Sequence, residues 1–536
     1  MNGDEKSDRG IVAIRTTAAG IGREKRANDG GRPPEEPVER RARAEGTADQ
    51  HSTHRAQGRA RVTQALDRVR EAARQRDKER FTALLHHVNV DTLRLSYQGL
   101  RRRAAAGVDG VTWEDYGADL ERRLEELHDR VHRGSYRPHP SRRSYIPKAD
   151  GTRRPLAIAA LEDKIVQGAV VMVLNAIYEE DFLGFSYGFR PGRGPHDALD
   201  ALAVAIDTRQ VNWILDADIR RFFDTVSQEW LIRFVEHRVG DRRIIRLIQK
   251  WLRAGVVEDG MVSVSDRGTG QGSVISPLLA NIYLHYALDL WAERWRRREA
   301  TGDMVLVRYA DDVVAGFEHE ADAHRFLDAL RERLEEFALT LHAEKTRVIE
   351  FGRHAAANRE QRGLGKPETF NFLGFTHICG RTRGGSFLLK RKSRRDRMRA
   401  KLKEVKEGLR QRRHHAVPDQ GRWLREIVQG VFAYHAVPTN IEAVSAFRYH
   451  VVNLWQRALR RRSQTDGTTW QRMAMIARDF LPAPPHPPSL ASPALRRQTP
   501  EVGAVCGKAA RTVLCGGRLA MSVPTAIVAA LLAMTI

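Results

Sequence analysis

The chain contains little cysteine and no zinc-type arrangement of ligands. Its 536 residues include only three cysteines, Cys379, Cys506 and Cys515, which excludes a disulfide framework and a paired Cys-x-x-Cys signature. The histidine pairs His86-His87 and His414-His415 have no zinc spacing with Cys or Glu either. We therefore expect a protein of the reducing cytoplasm that binds no zinc.

Long apolar runs are also missing. Ile11–Ile14 is too short for the core of a signal peptide. Ala526–Ile536 is apolar over only 11 residues, whereas a membrane span needs about 20. We expect no membrane insertion.

Positive charge, in contrast, is abundant. The chain has 90 Lys and Arg against 67 Asp and Glu, a formal charge of +23, which indicates a polyanionic partner such as nucleic acid. The segment Lys390–Arg413 alone holds 13 cations and three acids, a stronger bias than solvated helices usually show. Its first cations are our candidates for RNA binding: Lys390, Arg391, Lys392, Arg394, Arg395 and Arg397.

Four residues in the middle of the chain, Tyr309-Ala310-Asp311-Asp312, carry the clearest chemical signal. They lie between two short β-branched runs, Met304–Arg308 and Val313–Phe317, which predict buried strands. A strand–turn–strand unit would place both carboxylates at the tip of a hairpin, where they repel unless a cation neutralises them. Carboxylates suit Mg²⁺, and two such ions about 3.5–4 Å apart are typical of nucleotidyl transfer. By itself the motif fits a solvated acidic turn equally well.

A third carboxylate for such a site should come from a neighbouring strand. Asp218 ends the apolar segment Trp213–Ile219, and the 93 residues from there to Asp311 leave room for a helical connection. Asp216 shares a face with Asp218 by the two-residue period of a strand, so spacing leaves both open as ligands. Asp218 or Asp224 could instead cap the following helix.

A series of short motifs, in order over about residues 60 to 490, resembles the reverse transcriptase–maturase proteins encoded inside group II introns. Besides the acidic turn, the motifs are Ala106–Gly110, Tyr145–Lys148, Gly151–Leu156, Ser186–Arg193, Asp218–Asp224, Gly268–Gly272, Lys345-Thr346, Phe372–Phe375, Gly430–Tyr434 and Val437–Asn440. The resemblance favours Asp218 over Asp216 as the third ligand.

The resemblance implies an α+β fold of the right-hand polymerase kind. Fingers and palm with an antiparallel sheet would be followed by an α-helical thumb, or maturase, domain. It also implies an RNA-directed DNA polymerase whose Asp218, Asp311 and Asp312 hold two Mg²⁺ ions. The implied partners are dNTPs, an RNA template with a DNA primer, target DNA, and a group II intron RNA whose splicing and mobility the protein assists.

Further residues are expected to bind the nucleotide. Lys148 and Arg154 flank Asp150-Gly151, a hairpin turn signal that would bring two cations together. A basic surface hairpin is the alternative, and the resemblance assigns both residues, with Arg142, to the triphosphate.

The resemblance assigns three more residues to the nucleotide. Phe223 would pack under the sugar and exclude a 2′-hydroxyl, although it could be a core residue like Phe222. Gln271 lies in a glycine-rich loop that could approach the template–nucleotide pair closely. Lys345 would lie near the nucleotide and could donate a proton to pyrophosphate, although it could also be an ordinary surface lysine.

Composition and resemblance together predict five segments. Residues 1–60 form a disordered basic leader, 61–98 an N-terminal helical extension, 99–376 the fingers and palm, and 377–482 the helical thumb. Residues 483–536 form a short tail with at most a remnant of a DNA-binding segment. The tail lacks the Cys/His clusters of the endonuclease domain that ends many family members, so we expect no such nuclease.

Two alternatives stay open. Gly270 stands where family members usually have proline, which would loosen the loop, so a splicing-only RNA-binding maturase remains an alternative. The other is a reverse transcriptase diverted to defence or retron-like use, against which the motifs from Gly430 to Asn440 favour the intron type.

Overall fold

The N-terminal part of the chain is helical. The computed structural model describes residues 45–147, 153–462 and 467–485. By contacts, the described residues from Ala56 onward form one compact unit. Helix α1 begins at Glu45, so the leader predicted to reach residue 60 ends earlier than expected, and its residues 1–44 lie outside the described part. No proline interrupts residues 38–137, which permits long helices there.

The described residues form the following α-helices: α1 (Glu45–Gln75), α2 (Val90–Gly99), α3 (Trp113–Gly117), α4 (Leu120–His132), α5 (Leu161–Asp181), α6 (Pro195–Thr208), α7 (Phe222–Thr225), α8 (Gln228–Glu236), α9 (Arg242–Arg253), α10 (Ser276–Leu284), α11 (Leu290–Arg298), α12 (Glu320–Glu335), α13 (Ala355–Gln361), α14 (Arg395–Gln411), α15 (Val417–His435), α16 (Ile441–Arg460) and α17 (Trp470–Phe480). A 3₁₀ turn spans Leu85–His87, and a π-helical turn, His285–Asp289, joins α10 to α11.

The strands are β1 (Ser141–Pro147), β2 (Arg153–Ile158), β3 (Trp213–Asp218), β4 (Val256–Glu258), β5 (Met261–Ser263), β6 (Met304–Tyr309), β7 (Asp312–Phe317), β8 (Arg347–Glu350), β9 (Phe370–Phe372), β10 (Phe375–Arg381) and β11 (Phe387–Ser393). They form three sheets, ordered β2-β1-β4-β5, β6-β7-β3-β8 and β11-β10-β9. The second sheet, which we call the palm sheet, is antiparallel throughout.

The palm sheet is covered on both faces. Leu215, Leu306 and Val313 pack into a core with α5, α10 and α12. Ile214, Val305 and Val307 face the opposite way, into a second core with α6 and the third sheet. Strands buried on both faces read as continuous apolar runs, which is why β6 and β7 were recognisable from sequence.

The first sheet contains the predicted basic hairpin. Strands β1 and β2 pair antiparallel up to Pro147 opposite Arg153, and the turn between them, with Lys148, lies outside the described residues. On the other side, β4 pairs parallel to β1.

The C-terminal helices α14 to α17 pack around a third core that includes Leu424, Phe447 and Trp455. The predicted boundary at 376/377 falls inside β10, whose sheet continues to Ser393, so the thumb helices begin only at Arg395. Lys390–Ser393 is therefore a strand and not the start of a basic helix. The predicted α+β class, in which an antiparallel palm sheet is followed by a helical domain, is confirmed, while the first sheet also contains one parallel pair, β1 with β4.

In the described part of the chain, none of the helices is both long and apolar enough to cross a membrane.

Candidate active site

The acidic turn joins β6, at one end of the palm sheet, to the neighbouring strand β7. Tyr309 at the end of β6 pairs with Asp312 at the start of β7, so Ala310 and Asp311 form a two-residue turn. Ala310 has φ +56°, a left-handed conformation that costs a non-glycine residue of order 1–3 kcal/mol. The predicted strand–turn–strand unit is present, with Asp311 at its tip.

Asp218 reaches the same edge of the sheet from β3. It lies directly opposite Asp312, whereas Asp216 lies opposite Val314, further from the turn, and opposite Arg347 on its other side. The helix after β3 is capped by neither candidate, because the N-cap of α7 is Arg221 and Asp224 lies within that helix. The capping alternative is therefore wrong. The carboxylates of Asp216, Asp218, Asp311 and Asp312, which lie near this edge, remain available to bind a cation.

A buried arginine stabilises the turn through hydrogen bonds. Arg308, fully buried, directs all five of its N–H donors to partners. Nε and Nη2 donate to the two carboxylate oxygens of Asp289 at 2.7 and 2.5 Å. Nη1 donates to Asn281 Oδ1 at 3.1 Å and to the Ala310 carbonyl oxygen at 2.9 Å, and Nη2 also donates to Ser186 Oγ at 2.7 Å. The strained residue of the turn is thus tied to an ion pair with no exposed side-chain surface on either partner.

The segment before α6 packs against this turn. The Arg308 N–H donates to Phe185 O, and the Tyr187 N–H donates to Arg308 O, both at 2.9 Å. A Cβ added to Gly188 would lie 2.3 Å from the Ala310 backbone nitrogen. Glycine at this position of the predicted Ser186–Arg193 motif is therefore required by a close backbone approach.

The carboxylates line a cavity of about 630 Å³, which we call the acid cavity. Its palm and fingers residues include Arg154, Asp216, Asp218, Asp311, Asp312, Lys345 and Arg347, and its thumb residues include Arg394, Arg397 and Tyr434. Burial raises the pKa of Asp312 to about 8, and the like charges of Asp311, Asp218 and Asp216 add to the effect, while Arg397 opposes it. Burial also raises the pKa of Asp311 and, to about 6, that of Asp216. Five acids of the lining are matched in number by five cations, so the raised pKa values come from burial and from the closeness of the aspartates to one another.

The nearest cation to the metal-ligand candidates is a lysine. Lys345 Nζ lies 2.8 Å from Asp218 Oδ2, and the Asp218 N–H donates to Thr346 Oγ1 at 3.4 Å. In the part of the chain described, no group of three or more His, Cys, Asp or Glu side chains stands ready to hold a metal ion. Lys345 thus lies beside the site, as predicted, and its ammonium group contacts Asp218, one of the three candidate metal ligands.

Of the predicted triphosphate residues, only Arg154 is seen in the acid cavity. Arg142 lies on β1 with an exposed side chain that donates to the Ala106 carbonyl oxygen at 2.9 Å, and it does not line the cavity. Lys148 lies outside the described residues.

Phe223 and Gln271 line a separate cavity of about 230 Å³, the loop cavity. Phe222 is buried in the core and its neighbour Phe223 is half-buried, as the sequence suggested for Phe222. The Ala157 N–H donates to Gln271 O at 2.6 Å, and Gln167 Oε1 accepts from Ser273 Oγ at 2.8 Å and from the Val274 N–H at 3.0 Å. The loop is therefore anchored to β2 and α5 despite Gly270.

The basic segment divides into three environments. Arg391 is buried on β11 and forms an ion pair with Asp200 at 2.6 Å, so its prediction as an RNA-binding residue is wrong. Arg394 and Arg397 line the acid cavity. Lys392 pairs with Glu442 at 2.6 Å, while Lys390 is half-buried and Arg395 is exposed.

The motif Val437–Asn440 contacts β11, the strand that contains Arg391. Thr439 Oγ1 accepts from the Arg391 N–H at 2.8 Å, and buried Asn440 accepts from the Ser393 N–H at 3.0 Å. In the neighbouring motif, Tyr434 OH donates to Leu373 O at 2.9 Å. Both thumb motifs thus hold the helices against the third sheet.

Sequence reasoning missed Arg308, Asp289 and Asn281 as residues that shape the site. The available signal was the charge of Arg308 inside an otherwise apolar strand, since a buried arginine demands a partner. The partner, 19 residues earlier, lies on the π-helical turn, a feature frequent at functional sites that no residue pattern announced. Arg397 was noticed only as one cation among many.

A family model described as reverse transcriptase (RNA-dependent DNA polymerase) matches residues 146–377. Protein YkfC of Escherichia coli (strain K12) is 36% identical over 278 residues, which cover 45% of this chain and 71% of that protein. Group II intron-encoded protein LtrA of Lactococcus lactis subsp. cremoris is 33% identical over 222 residues, 41% of this chain and 37% of LtrA. Nuclear intron maturase 3, mitochondrial, of Arabidopsis thaliana is 29% identical over 129 residues, 24% of this chain and 18% of that protein.

The chain spans well under half the length of the two intron proteins just named, while the matched region contains the whole palm sheet and the acidic turn. The chain belongs to the reverse transcriptase (RNA-dependent DNA polymerase) family, and within it the chain is similar to proteins that group II introns encode.

Proposed function

We propose that the chain extends a DNA primer along an RNA template, using Asp218, Asp311 and Asp312 to hold two Mg²⁺ ions. The observation that carries the proposal is the convergence of these carboxylates from three adjacent strand ends on one cavity. Hard oxygen donors fit Mg²⁺. Burial and the neighbouring carboxylates, which raise the pKa of Asp312, also fit a site that is completed by cations.

Two Mg²⁺ ions bound there would favour loss of the proton from the primer 3′-hydroxyl and neutralise charge on the triphosphate of the dNTP. Arg154 lines the same cavity, and we assign it to the phosphates. Lys345 would leave Asp218 when metal binds and donate a proton to the departing pyrophosphate. Phe223 and Gln271 would contact the sugar and the template base pair from the loop cavity.

A maturase role is the second proposal, since LtrA and the Arabidopsis maturase are named as intron proteins. We propose that exposed cations of α14 bind the intron RNA and assist its splicing, and that target DNA is a partner in intron mobility. Arg395 and Arg399 are exposed on this helix, in contrast to Arg391. Neutralising both should reduce the slope of log K against log salt for intron RNA by about 1.4–1.8, because each phosphate contact contributes about 0.7–0.9.

The polymerase proposal is tested with Asp311→Asn and Asp218→Asn on poly(rA)/oligo(dT) with Mg²⁺. Primer extension should be abolished, and Mg²⁺ binding measured by calorimetry should weaken, while intron RNA affinity remains. The exposed Asp328→Asn serves as the control, because it removes the same charge far from the acidic turn. Wild-type protein that splices its intron but never extends a primer would favour the splicing-only maturase instead.

A further inference from the structure

Helix α9 presents an unusually basic face. Its 12 residues contain five cations and no acid. Arg242, Arg246, Gln249 and Arg253 recur at steps of four, three and four and so share one face. The opposite face, with Ile244, Leu247 and Ile248, is buried in the core.

Arg243 pairs with the helix-capping Asp241 at 3.1 Å, but two cations of the basic face have no such partner among the described residues. Arg246 and Arg253 are exposed, and neither forms a hydrogen bond or ion pair with another described residue. Burial lowers the pKa of Lys250, and the positive charges of Arg137 and Arg246 lower it further.

Other described surface helices behave differently. On α4, Arg122 pairs with Asp119 and Glu126, and on α12, Arg331 pairs with Asp328 at 2.8 Å. Among the described helices that carry lysine or arginine, α9 alone has no acid in its own sequence. An ordinary solvated helix gains from mixed signs, so the unbalanced face suggests an external anion.

A groove of about 1020 Å³ runs beside this face. It is bordered by Gln249 and Arg253 of α9, Arg233 of α8, and exposed Arg267, with Glu229 and Asp266 as its acids. Glu229 is engaged by Arg233 at 2.6 Å, which leaves Asp266 as the groove's unpaired acid among the described residues.

The groove leads toward the proposed reaction site. Its lining shares Gln228, Leu252, Ser265 and Arg267 with the loop cavity, which contains Phe223 and Gln271. A nucleic-acid strand that leaves a base pair at Gln271 could therefore continue along the groove past α9. The 12 residues of this helix extend about 18 Å.

We propose that the α9 face and its groove bind the sugar–phosphate backbone of the single-stranded RNA template ahead of the site of synthesis. This inference rests on the proposed polymerase function. The exposed guanidinium groups neutralise template phosphates, as in other single-strand-binding grooves, and keep the template aligned with Gln271.

The test compares Arg246→Gln/Arg253→Gln with a matched control, Arg294→Gln/Arg298→Gln on α11, which removes two other exposed cations. Primer–template duplexes carry a 5′ template overhang of either a single nucleotide or about fifteen, near the upper end of known groove site sizes. Affinity is measured at several salt concentrations, and extension is followed on both duplexes.

For the long overhang, the α9 variant should flatten the slope of log K against log salt by about 1.4, since each single-strand phosphate contact contributes about 0.7. In the wild type, the long overhang should give tighter binding and a lower KM than the single-nucleotide overhang. The α9 variant should lose both differences, while the control retains them. Equal loss with both overhangs would overturn the proposal and place α9 against the duplex. Loss only for a structured intron RNA would also overturn it. Failure of the polymerase proposal itself would instead appear as no extension by the wild type on either duplex.

Discussion

The buried pair of Arg308 and Asp289 offers a way to separate the stability of the palm from the position of its acidic turn. Asp289→Asn leaves a guanidinium group buried without its counter-charge. Breaking a buried pair from one side costs about 3–5 kcal/mol of unfolding free energy. Both side chains are completely buried, so we expect a loss in that range, measured by urea unfolding.

A double variant, Arg308→Met/Asp289→Leu, removes both charges and keeps the space filled. Such replacements are often neutral or stabilising, so the unfolding free energy should return close to that of the wild type. The Ala310 carbonyl oxygen nevertheless loses the donor that lies 2.9 Å away. Displacement of a reacting group by about 1 Å can cost on the order of 100-fold in rate, so kcat for primer extension should remain about 100-fold low while KM for dNTP changes little.

The control is Asp181→Asn, which breaks the ion pair with Arg238, an interaction at 2.8 Å that anchors the chain near α1. It should lower stability without lowering kcat per folded molecule. The reasoning is refuted if the double variant extends primers at the wild-type kcat, because Arg308 would then only fill the core.

Three further outcomes are expected. Phe223→Ala should raise the ratio of rNTP to dNTP incorporation efficiency, and an unchanged ratio would mean that Phe223 is only a packing residue. Gly374→Ala should lower both stability and extension, because Gly374 has φ +82° and an added Cβ would lie 2.9 Å from Arg397 Nη1; thermal unfolding and single-turnover extension would show it. Asp241 should stabilise the fold above about pH 4 and lose this contribution as the pH falls toward 2. Burial would raise its pKa, but hydrogen bonds from Arg243 and from the N–H groups of Leu84 and Leu85 lower it to about 2. The stability gap between wild type and Asp241→Asn should therefore narrow between pH 5 and pH 2, and a constant gap would contradict the assignment.

The palm could be predicted from the sequence because its signals are local. The β-branched runs around Asp311 gave the hairpin, and strand periodicity put Asp216 and Asp218 on one face. Choosing between these two acids needed the register of β3 against β7, in which Asp218 meets Asp312. Register depends on pairing between strands far apart in sequence, so the residues alone left the choice open.

The basic segment shows the opposite case. Counting charge over Lys390–Arg413 concealed a strand in which Leu389, Arg391 and Ser393 are buried in alternation. The burial of Arg391 depends on Asp200, 191 residues away in sequence, which no local pattern contains. Composition therefore overestimated the cations of this segment that are available to RNA and underestimated α9, where the total charge is lower but Arg246 and Arg253 are exposed.

Charge in the acid cavity connects the three parts of the polymerase. Arg154 comes from β2 of the first sheet. Lys345 comes from the segment just before β8 of the palm sheet, and Arg397 comes from the first turn of helix α14. Arg397 opposes the rise in the pKa of Asp312, and Gly374 leaves the space that its guanidinium group occupies. Because like charges on the carboxylates raise one another's pKa when cations withdraw, a shift of the thumb alters the electrostatics of the acids directly. Under the proposed two-metal function, thumb position and metal affinity are therefore coupled through Arg397, without any movement of the palm sheet itself.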